Sequence, residues 1–277
     1  MRDWIRNMLL GVLLTGTTFG FSERAVAVDV IGHRGASRDA PENTLASVNL
    51  AWKRGADAVE IDVFLSKDGR IVVTHDETPK RFGGPDRKIA DQTLAELKKI
   101  DVGRWKNKKW TGERMPTLTE VLDTIPQGKR LLIEIKCGPE IIAELKRVLK
   151  AAGKKREQTA IIGFSYSSMK AVKQALPRLK VYWVVGLKRD KKSRRWSPGI
   201  ETLIRKSKSA KLDGLNLSDK PVIDRDYVMR VHTAGLRFYV WTVNSVAAAR
   251  RLTAAGVDGI TTDRPGWLKK QLSGKGK

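Results

Sequence analysis

Residues 31–44 of the chain read IGHRGASRDAPENT, and this stretch continues a short apolar run, Val28–Ile31. The apolar run predicts a strand. The strand leads at once into His33 and Arg34, a proton-transfer group next to a fixed cation. A polar loop follows, and we expect Asn43 to be the N-cap of a helix. A strand that ends in a polar pair and is followed by a helix is the first half of a β-α repeat.

The rest of the chain repeats this unit, with apolar strand patterns followed by helical periodicity. The predicted strands are Val28–Ile31, Ala58–Leu65, Arg130–Lys136, Thr159–Phe164, Val181–Val185, Gly214–Leu217, Arg237–Thr242 and Gly259–Thr262. Eight such units in about 250 residues predict an α/β protein of the (β/α)8 TIM-barrel class. A doubly wound open sheet is the alternative. No Gly-rich phosphate loop follows the first strand, which disfavours it.

One stretch interrupts the alternation after the second strand region. A turn and a short returning strand, Ile71–Thr74, lead into residues 77–116, which are polar, basic and rich in Gly and Pro. Only Leu94–Ile100 has helical character there. We therefore predict a small insertion over 77–116 within one barrel domain, residues 28–272.

The two ends of the chain have a different composition. Arg2 and Arg6 precede an apolar run and a small-residue pattern at 25–27, which predicts a signal peptide over 1–27. The expected location is therefore outside the cytoplasm, either in a periplasm or secreted. An uncleaved N-terminal membrane anchor is the alternative. We expect the basic tail, 273–277, to be disordered.

The 277-residue chain has a formal net charge of +24, which predicts anionic partners. Basic residues are dense over Lys188–Arg195 and around Trp105–Trp110. Either cluster could contact anionic lipid or a cell-envelope polymer; a solvated basic surface is the alternative. We do not expect nucleic acid as the partner, and the pattern does not specify an oligomeric state.

Acidic side chains lie within two of the predicted strands. Glu60 and Asp62 are two residues apart and so face the same side of their strand, as do Glu134 and Lys136 in theirs. Carboxylates that converge in this way predict an all-oxygen site for one divalent cation, Ca²⁺ or Mg²⁺. The alternatives are solvated strand ends and a structural Glu134–Lys136 ion pair.

Two of the three histidines, His33 and His75, directly follow strands beside this predicted site. Two histidines with a metal can serve as the acid and the base for displacement at phosphorus. The third, His232, lies in a polar helix and is expected at the surface. Trp241, near a strand end, is assigned to an apolar substrate wall, with a place in the core as the alternative. Cys137, the single cysteine, is expected to be a buried small residue.

Taken together, these motifs resemble the glycerophosphodiester phosphodiesterase family. The matching segments run in the family's order: His33-Arg34-Gly35, Pro41–Thr44, Glu60–Val63, His75-Asp76, Met115–Leu118, Glu134–Lys136, Val240–Asn244 and Gly256–Pro265. They extend over almost all of the predicted barrel domain. Each segment alone is a weak signal, but the ordered set is specific.

The resemblance implies a TIM-barrel hydrolase that cleaves glycerophosphodiesters to glycerol 3-phosphate and an alcohol. The residues it implies are Glu60, Asp62 and Glu134 for the cation, His33 and His75 for acid/base catalysis, and Arg34 and Lys136 for the phosphate. Residues 77–84 depart from the family's usual pattern of Leu, Arg and a Thr-rich turn, so the alcohol remains open. A phospholipase or lysophospholipase at a membrane is one alternative function. A non-catalytic polyanion-binding barrel is the other.

Overall fold

The structure is a computed structural model that describes residues 28–274. The predicted signal peptide lies outside the described residues, as do the last three residues of the basic tail. Among the described residues, no helix combines the length and apolar character needed to cross a bilayer.

Eleven strands are described in the chain from residue 28 to 274. They are β1 (Asp29–Gly32), β2 (Ala58–Leu65), β3 (Ile71–Val73), β4 (Arg130–Ile135), β5 (Thr159–Gly163), β6 (Lys180–Val185), β7 (Lys188–Arg189), β8 (Trp196–Ser197), β9 (Gly214–Ser218), β10 (Arg237–Trp241) and β11 (Gly259–Thr262). Eight of them form a parallel sheet in the order β1-β11-β10-β9-β6-β5-β4-β2. Because β1 also pairs with β2, the sheet is closed. The TIM barrel is confirmed and the open sheet is excluded.

The helices of the described chain lie mostly between consecutive barrel strands. They are α1 (Leu45–Lys53), α2 (Leu94–Leu97), α3 (Leu118–Asp123), α4 (Ile142–Ala152), α5 (Tyr166–Ala175), α6 (Ile200–Ser209), α7 (Arg225–Thr233), α8 (Val246–Ala255) and α9 (Pro265–Leu272). Ser, Thr or Asp caps several of their N-termini, which is the preferred chemistry there.

The predicted N-cap of α1 was wrong by one residue. Thr44 is the cap, and its hydroxyl accepts from the Ser47 amide. Asn43 instead has a φ of 57° and is buried. Its side-chain amide donates to Asp62 Oδ2 at 2.8 Å, so the residue supports the barrel interior rather than the helix.

Side chains alternate along β2 between two environments. Val59, Ile61 and Val63 belong to the large core between the strands and the surrounding helices. With a side-chain period of two, Glu60 and Asp62 therefore point into the barrel, and both are only 2% exposed. This alternation puts two carboxylates inside the barrel.

The insertion over 77–116 has more structure than its polar composition indicates. The helical piece is shorter than predicted, Leu94–Leu97, and 3₁₀ turns lie at Pro79–Phe82, Ile89–Asp91 and Lys108–Trp110. Its buried apolar residues pack against Phe64 of β2 and Val72 of β3 in a small second core. The basic segment after β6 was expected to be a loop, and it contains the antiparallel pair β7–β8.

Candidate active site

Polar residues at the carboxyl ends of the barrel strands converge on one cleft. Every residue assigned to a site from the sequence lines it: His33, Arg34, Glu60, Asp62, His75, Glu134, Lys136 and Trp241. The parallel sheet accounts for this, because all its strands end on the same side of the barrel.

The three carboxylates form the floor of the cleft. Glu60, Asp62 and Glu134 each offer an oxygen within 4.8 Å of the others, and all three are buried. The pKa of Glu60 is raised well above its usual value, mainly by burial and in addition by the neighbouring Asp62 and Glu134 carboxylates. The pKa of Glu134 is likewise raised, mainly by burial and in addition by the Asp62 carboxylate. Without a cation between them, these charges repel one another.

Two basic side chains compensate part of this charge. Lys136 Nζ lies 2.8 Å from Glu134 Oε1 and 3.6 Å from Asp62 Oδ1. Arg34 Nε lies 3.2 Å from Asp62 Oδ2, and the Arg34 amide donates to Glu60 Oε2 at 2.9 Å. Burial opposes the charge of Lys136, but the Glu134 and Asp62 carboxylates outweigh it and raise the pKa of its ammonium group.

One oxygen of the floor has no partner. Glu60 Oε1 is buried and accepts no hydrogen bond from any described residue. A buried polar atom without a partner is costly. An all-oxygen donor set with an unsatisfied carboxylate oxygen is the chemistry that hard divalent cations prefer. The residues present therefore fit a divalent cation.

His33 is backed by a carboxylate that sequence reasoning did not assign. Its Nδ1 lies 2.7 Å from Oδ1 of Asp263, the residue directly after β11. Ser37 Oγ donates to the same carboxylate at 3.1 Å, and Asn244 Nδ2 donates at 2.6 Å. Burial alone would raise the pKa of Asp263, but His33 outweighs it and lowers this pKa to about 2. With Nδ1 engaged, Nε2 is the ring nitrogen left for proton transfer.

His75 has a similar carboxylate in a different setting. Its Nδ1 lies 2.8 Å from Asp76 Oδ1, and Arg81 Nε lies 2.6 Å from Asp76 Oδ2. Arg81 also contacts Glu42 Oε1 at 2.8 Å, and Arg34 Nη1 contacts the same oxygen at 2.7 Å. A single chain of ion pairs thus connects His75, through the insertion, to Arg34.

Several residues of the site escaped sequence reasoning. Asp263 and Asp76 lie within the matching motifs, but the sequence assigned no function to either. Asp263 nevertheless follows a strand just as His33 does. Glu42, in the opening stretch, likewise had no assigned role, and Asn43 beside it was assigned only to the helix cap. For Arg81 no periodicity or strand end gave a signal, because its contacts depend on how the insertion folds back over the barrel.

An aromatic pair forms one edge of the cleft. The rings of Phe164 and Trp241 meet edge to face, with centroids 5.4 Å apart. Trp241 Nε1 donates to the Asn216 carbonyl at 3.1 Å, and Phe164 remains 47% exposed. Trp241 thus lies at the cleft, not in the closed core.

The remaining candidates lie apart from these groups. Cys137 is only partly buried, and burial raises the pKa of its thiol to about 11. His232 is partly exposed and contacts Asp258, which precedes β11 at the opposite end of the barrel. Neither lines the cleft.

Comparisons with known proteins agree with this geometry. A glycerophosphodiester phosphodiesterase of Caldanaerobacter subterraneus subsp. tengcongensis is 35% identical over 85% of this chain and 94% of its own length. One of Bacillus subtilis is 30% identical over 88% of this chain and 86% of its own. An Oleispira antarctica phosphodiesterase, solved with the product sn-glycerol-3-phosphate, is 31% identical with a TM-score of 0.78 over 88% of this chain and 96% of its own. The Glycerophosphoryl diester phosphodiesterase family model matches residues 33–267. The chain therefore belongs to this family of phosphoric diester hydrolases.

Proposed function

We propose that the protein hydrolyses glycerophosphodiesters to glycerol 3-phosphate and an alcohol. The observation that carries the proposal is the pairing of two carboxylate-backed histidines with three buried carboxylates in one cleft. The glycerol 3-phosphate bound to the Oleispira antarctica relative supports the same substrate class.

Arg34 and Lys136 would bind the phosphate and stabilise the charge that develops there. His33 would act as the base and take a proton from the attacking water or from the glycerol hydroxyl of the substrate. His75 would act as the acid and protonate the leaving oxygen. Attack by the substrate's own hydroxyl would proceed through a cyclic phosphate and use the same residues. Trp241 would contact the apolar face of the substrate.

Glu60, Asp62 and Glu134 would hold one divalent cation, Ca²⁺ or Mg²⁺. A bound cation supplies Lewis-acid polarisation of the phosphoryl oxygens. The protein's own part is to present converging oxygens in fixed positions, which Asn43 does for Asp62 through two hydrogen bonds.

We further propose that the protein works outside the cytoplasm, after cleavage near Ala27 or with the N-terminal segment retained as an anchor. The arginines, apolar run and small-residue pattern of residues 1–27 support export. Peripheral contact with anionic lipid or a cell-envelope polymer belongs to the same proposal.

A lysophospholipid is the second candidate substrate, favoured by the exposed Phe164 ring beside Trp241. Apolar surface at the cleft edge could receive the acyl chain that a lysophospholipid carries on its glycerol, which a glycerophosphodiester without acyl chains does not need.

The test is a substrate panel after EDTA treatment, with Ca²⁺ or Mg²⁺ restored in turn. It compares glycerophosphocholine, glycerophosphoethanolamine, glycerophosphoglycerol and lysophospholipids, and products are identified by ³¹P NMR. We expect glycerol 3-phosphate from at least one diester, only with a cation present. Full activity in EDTA would refute the metal proposal, and no cleavage of any member would refute the function.

A further inference from the structure

A basic hairpin extends from the barrel next to the cleft. It comprises residues 188–197, with β7 and β8 as its two strands. Six of these ten residues are Lys or Arg and one is acidic, Asp190. All six basic residues are exposed: Lys188, Arg189, Lys191, Lys192, Arg194 and Arg195. The hairpin therefore concentrates positive charge on a small surface.

The single acid does not pair with these charges. Asp190 Oδ1 accepts from the amides of Lys192 and Ser193 at 3.1 and 2.7 Å and from the Ser193 hydroxyl at 2.8 Å. Its role is to shape the turn. Among residues 28–274, none of the six basic side chains takes part in an ion pair. Their charges remain available to an external anion.

The hairpin lies at the end of the barrel where the cleft opens. It follows the carboxyl end of β6, and the amide just before it, Leu187 N, donates to Ser218 Oγ at 2.9 Å. Ser218 is the last residue of β9, and Asn216 of the same strand lines the cleft. A surface that binds the hairpin would thus face the cleft opening.

Exposed aromatic side chains share this end of the barrel. Phe164 is 47% exposed at the cleft edge, and Trp105 of the insertion is 40% exposed. The insertion is fixed over the same end, because Lys106 Nζ donates to the carbonyl of Ser37 at 2.7 Å. Aromatic rings together with unpaired cations are the composition found at membrane interfaces. A soluble polyanion would need the cations but not the exposed rings.

We propose that this hairpin docks the cleft opening on an anionic phospholipid surface. The inference rests on the proposed function, because a glycerophosphodiester is a glycerophospholipid that has lost its acyl chains. A deacylating lipase reaction must therefore supply the substrate, and it releases that product at a membrane. Docking there places the cleft at the source of its substrate.

The experiment compares two variants that lose the same number of charges. The hairpin variant is Lys191→Gln/Lys192→Gln/Arg194→Gln/Arg195→Gln. The control variant is Lys146→Gln/Lys150→Gln/Arg156→Gln/Arg178→Gln, four exposed cations around a groove between α4 and α5 at the opposite end of the barrel. Binding is measured by co-sedimentation of the full chain with phosphatidylcholine vesicles, with and without half phosphatidylglycerol.

We expect wild type to bind the anionic vesicles, with an affinity that falls as salt rises. Each basic residue at an anionic surface changes partition by about fivefold, so the hairpin variant should lose more than about 100-fold. The control variant should lose less than about fivefold. Equal losses in the two variants would overturn the proposal. So would a hairpin variant that keeps vesicle binding but loses binding to soluble polyphosphate, which would identify a polymer as the partner.

Hydrolysis of glycerophosphocholine separates this inference from the proposed function. The substrate has no net charge and needs no membrane, so the hairpin variant should cleave it at the wild-type rate. If neither protein cleaves any diester of the substrate panel, the proposed function fails while the vesicle result still decides the docking proposal.

Discussion

The two histidines of the cleft have similar geometry and different support. Each places Nδ1 within 2.8 Å of a carboxylate oxygen. The carboxylate behind His33 is held by neutral groups, Ser37 and Asn244, in loops that follow barrel strands. The carboxylate behind His75 is held by a cation, Arg81, that belongs to the insertion.

This difference separates the site into a half borne by the barrel and a half borne by the insertion. Among charged side chains, the Asp263 carboxylate interacts with His33, whereas the Asp76 carboxylate interacts with both His75 and Arg81. The barrel half depends on strand ends fixed by backbone pairing. The insertion half depends on a chain of ion pairs that is partly exposed to solvent and is correspondingly weaker.

The largest effect should come from removing either imidazole. His33→Ala and His75→Ala should each lower kcat by about 10²–10⁴-fold, because each removes a proton-transfer group. Circular dichroism should show a retained fold. His232→Ala, at the opposite end of the barrel, is the control and should change kcat less than twofold. A near-normal rate for either cleft variant would remove that histidine from the mechanism.

The two carboxylates should differ in importance. Asp263→Asn should lower kcat by about 100-fold, because the charge that stabilises the His33 imidazolium is lost. Asp76→Asn should cost about tenfold, because Arg81 already offsets much of the Asp76 charge. Steady-state kinetics on one diester measures both. A larger loss in Asp76→Asn than in Asp263→Asn would reverse the comparison.

Removing Arg81 should weaken the insertion half through the loss of its contact with Asp76. Arg81→Met should lower kcat by up to about tenfold and should add little in an Asp76→Asn background, since both changes remove the same link. Arg87→Met is the matched control, because Arg87 forms an exposed ion pair with Glu96 within the same insertion. Additive losses in the double variant would show that Arg81 does not act through Asp76.

The smallest effect concerns the stability of the barrel half without metal. Because burial and neighbouring carboxylates raise the folded-state pKa of Glu60 above its unfolded value, ionised Glu60 destabilises the folded protein. This destabilisation is absent below the unfolded pKa and grows as pH rises through that value.

Glu60→Gln should therefore stabilise the EDTA-treated protein at pH 7.5 by about 1–4 kcal/mol and have little effect at pH 4. It should also reduce the stabilisation that added Ca²⁺ or Mg²⁺ provides. Thermal unfolding measures both effects, with the exposed Glu157→Gln as control. A lower Tm for Glu60→Gln in EDTA at pH 7.5 would contradict the electrostatic account.

The residues of the barrel half could be predicted from the sequence, because their positions follow from the side-chain alternation of strands and from parallel pairing. Strand alternation placed Glu60, Asp62 and Glu134 on inward faces, and parallel pairing brought His33 to the same end. The insertion half could not be read in this way. The contacts of Arg81 with Glu42 and Asp76 span 39 and 5 residues, and they arise from packing of the insertion rather than from a period of two or 3.6.

Asn43 illustrates the same limit on a shorter scale. Its type and place favoured a helix cap, and Thr44 one residue later, also a favoured cap residue, takes that position instead. The deciding factor was the buried Asp62, which needed an amide donor and lies 19 residues further along the chain. Long-range satisfaction of a buried charge outweighed a local preference.

The assignment of base and acid is best tested with a diester whose leaving group is p-nitrophenol, which departs without protonation. On glycerophospho-p-nitrophenol, His75→Ala should recover to within about tenfold of wild type, because the acid is no longer needed. His33→Ala should remain impaired as severely as on glycerophosphocholine. Equal impairment of the two variants on both substrates, or recovery of His33→Ala instead, would contradict the assigned roles.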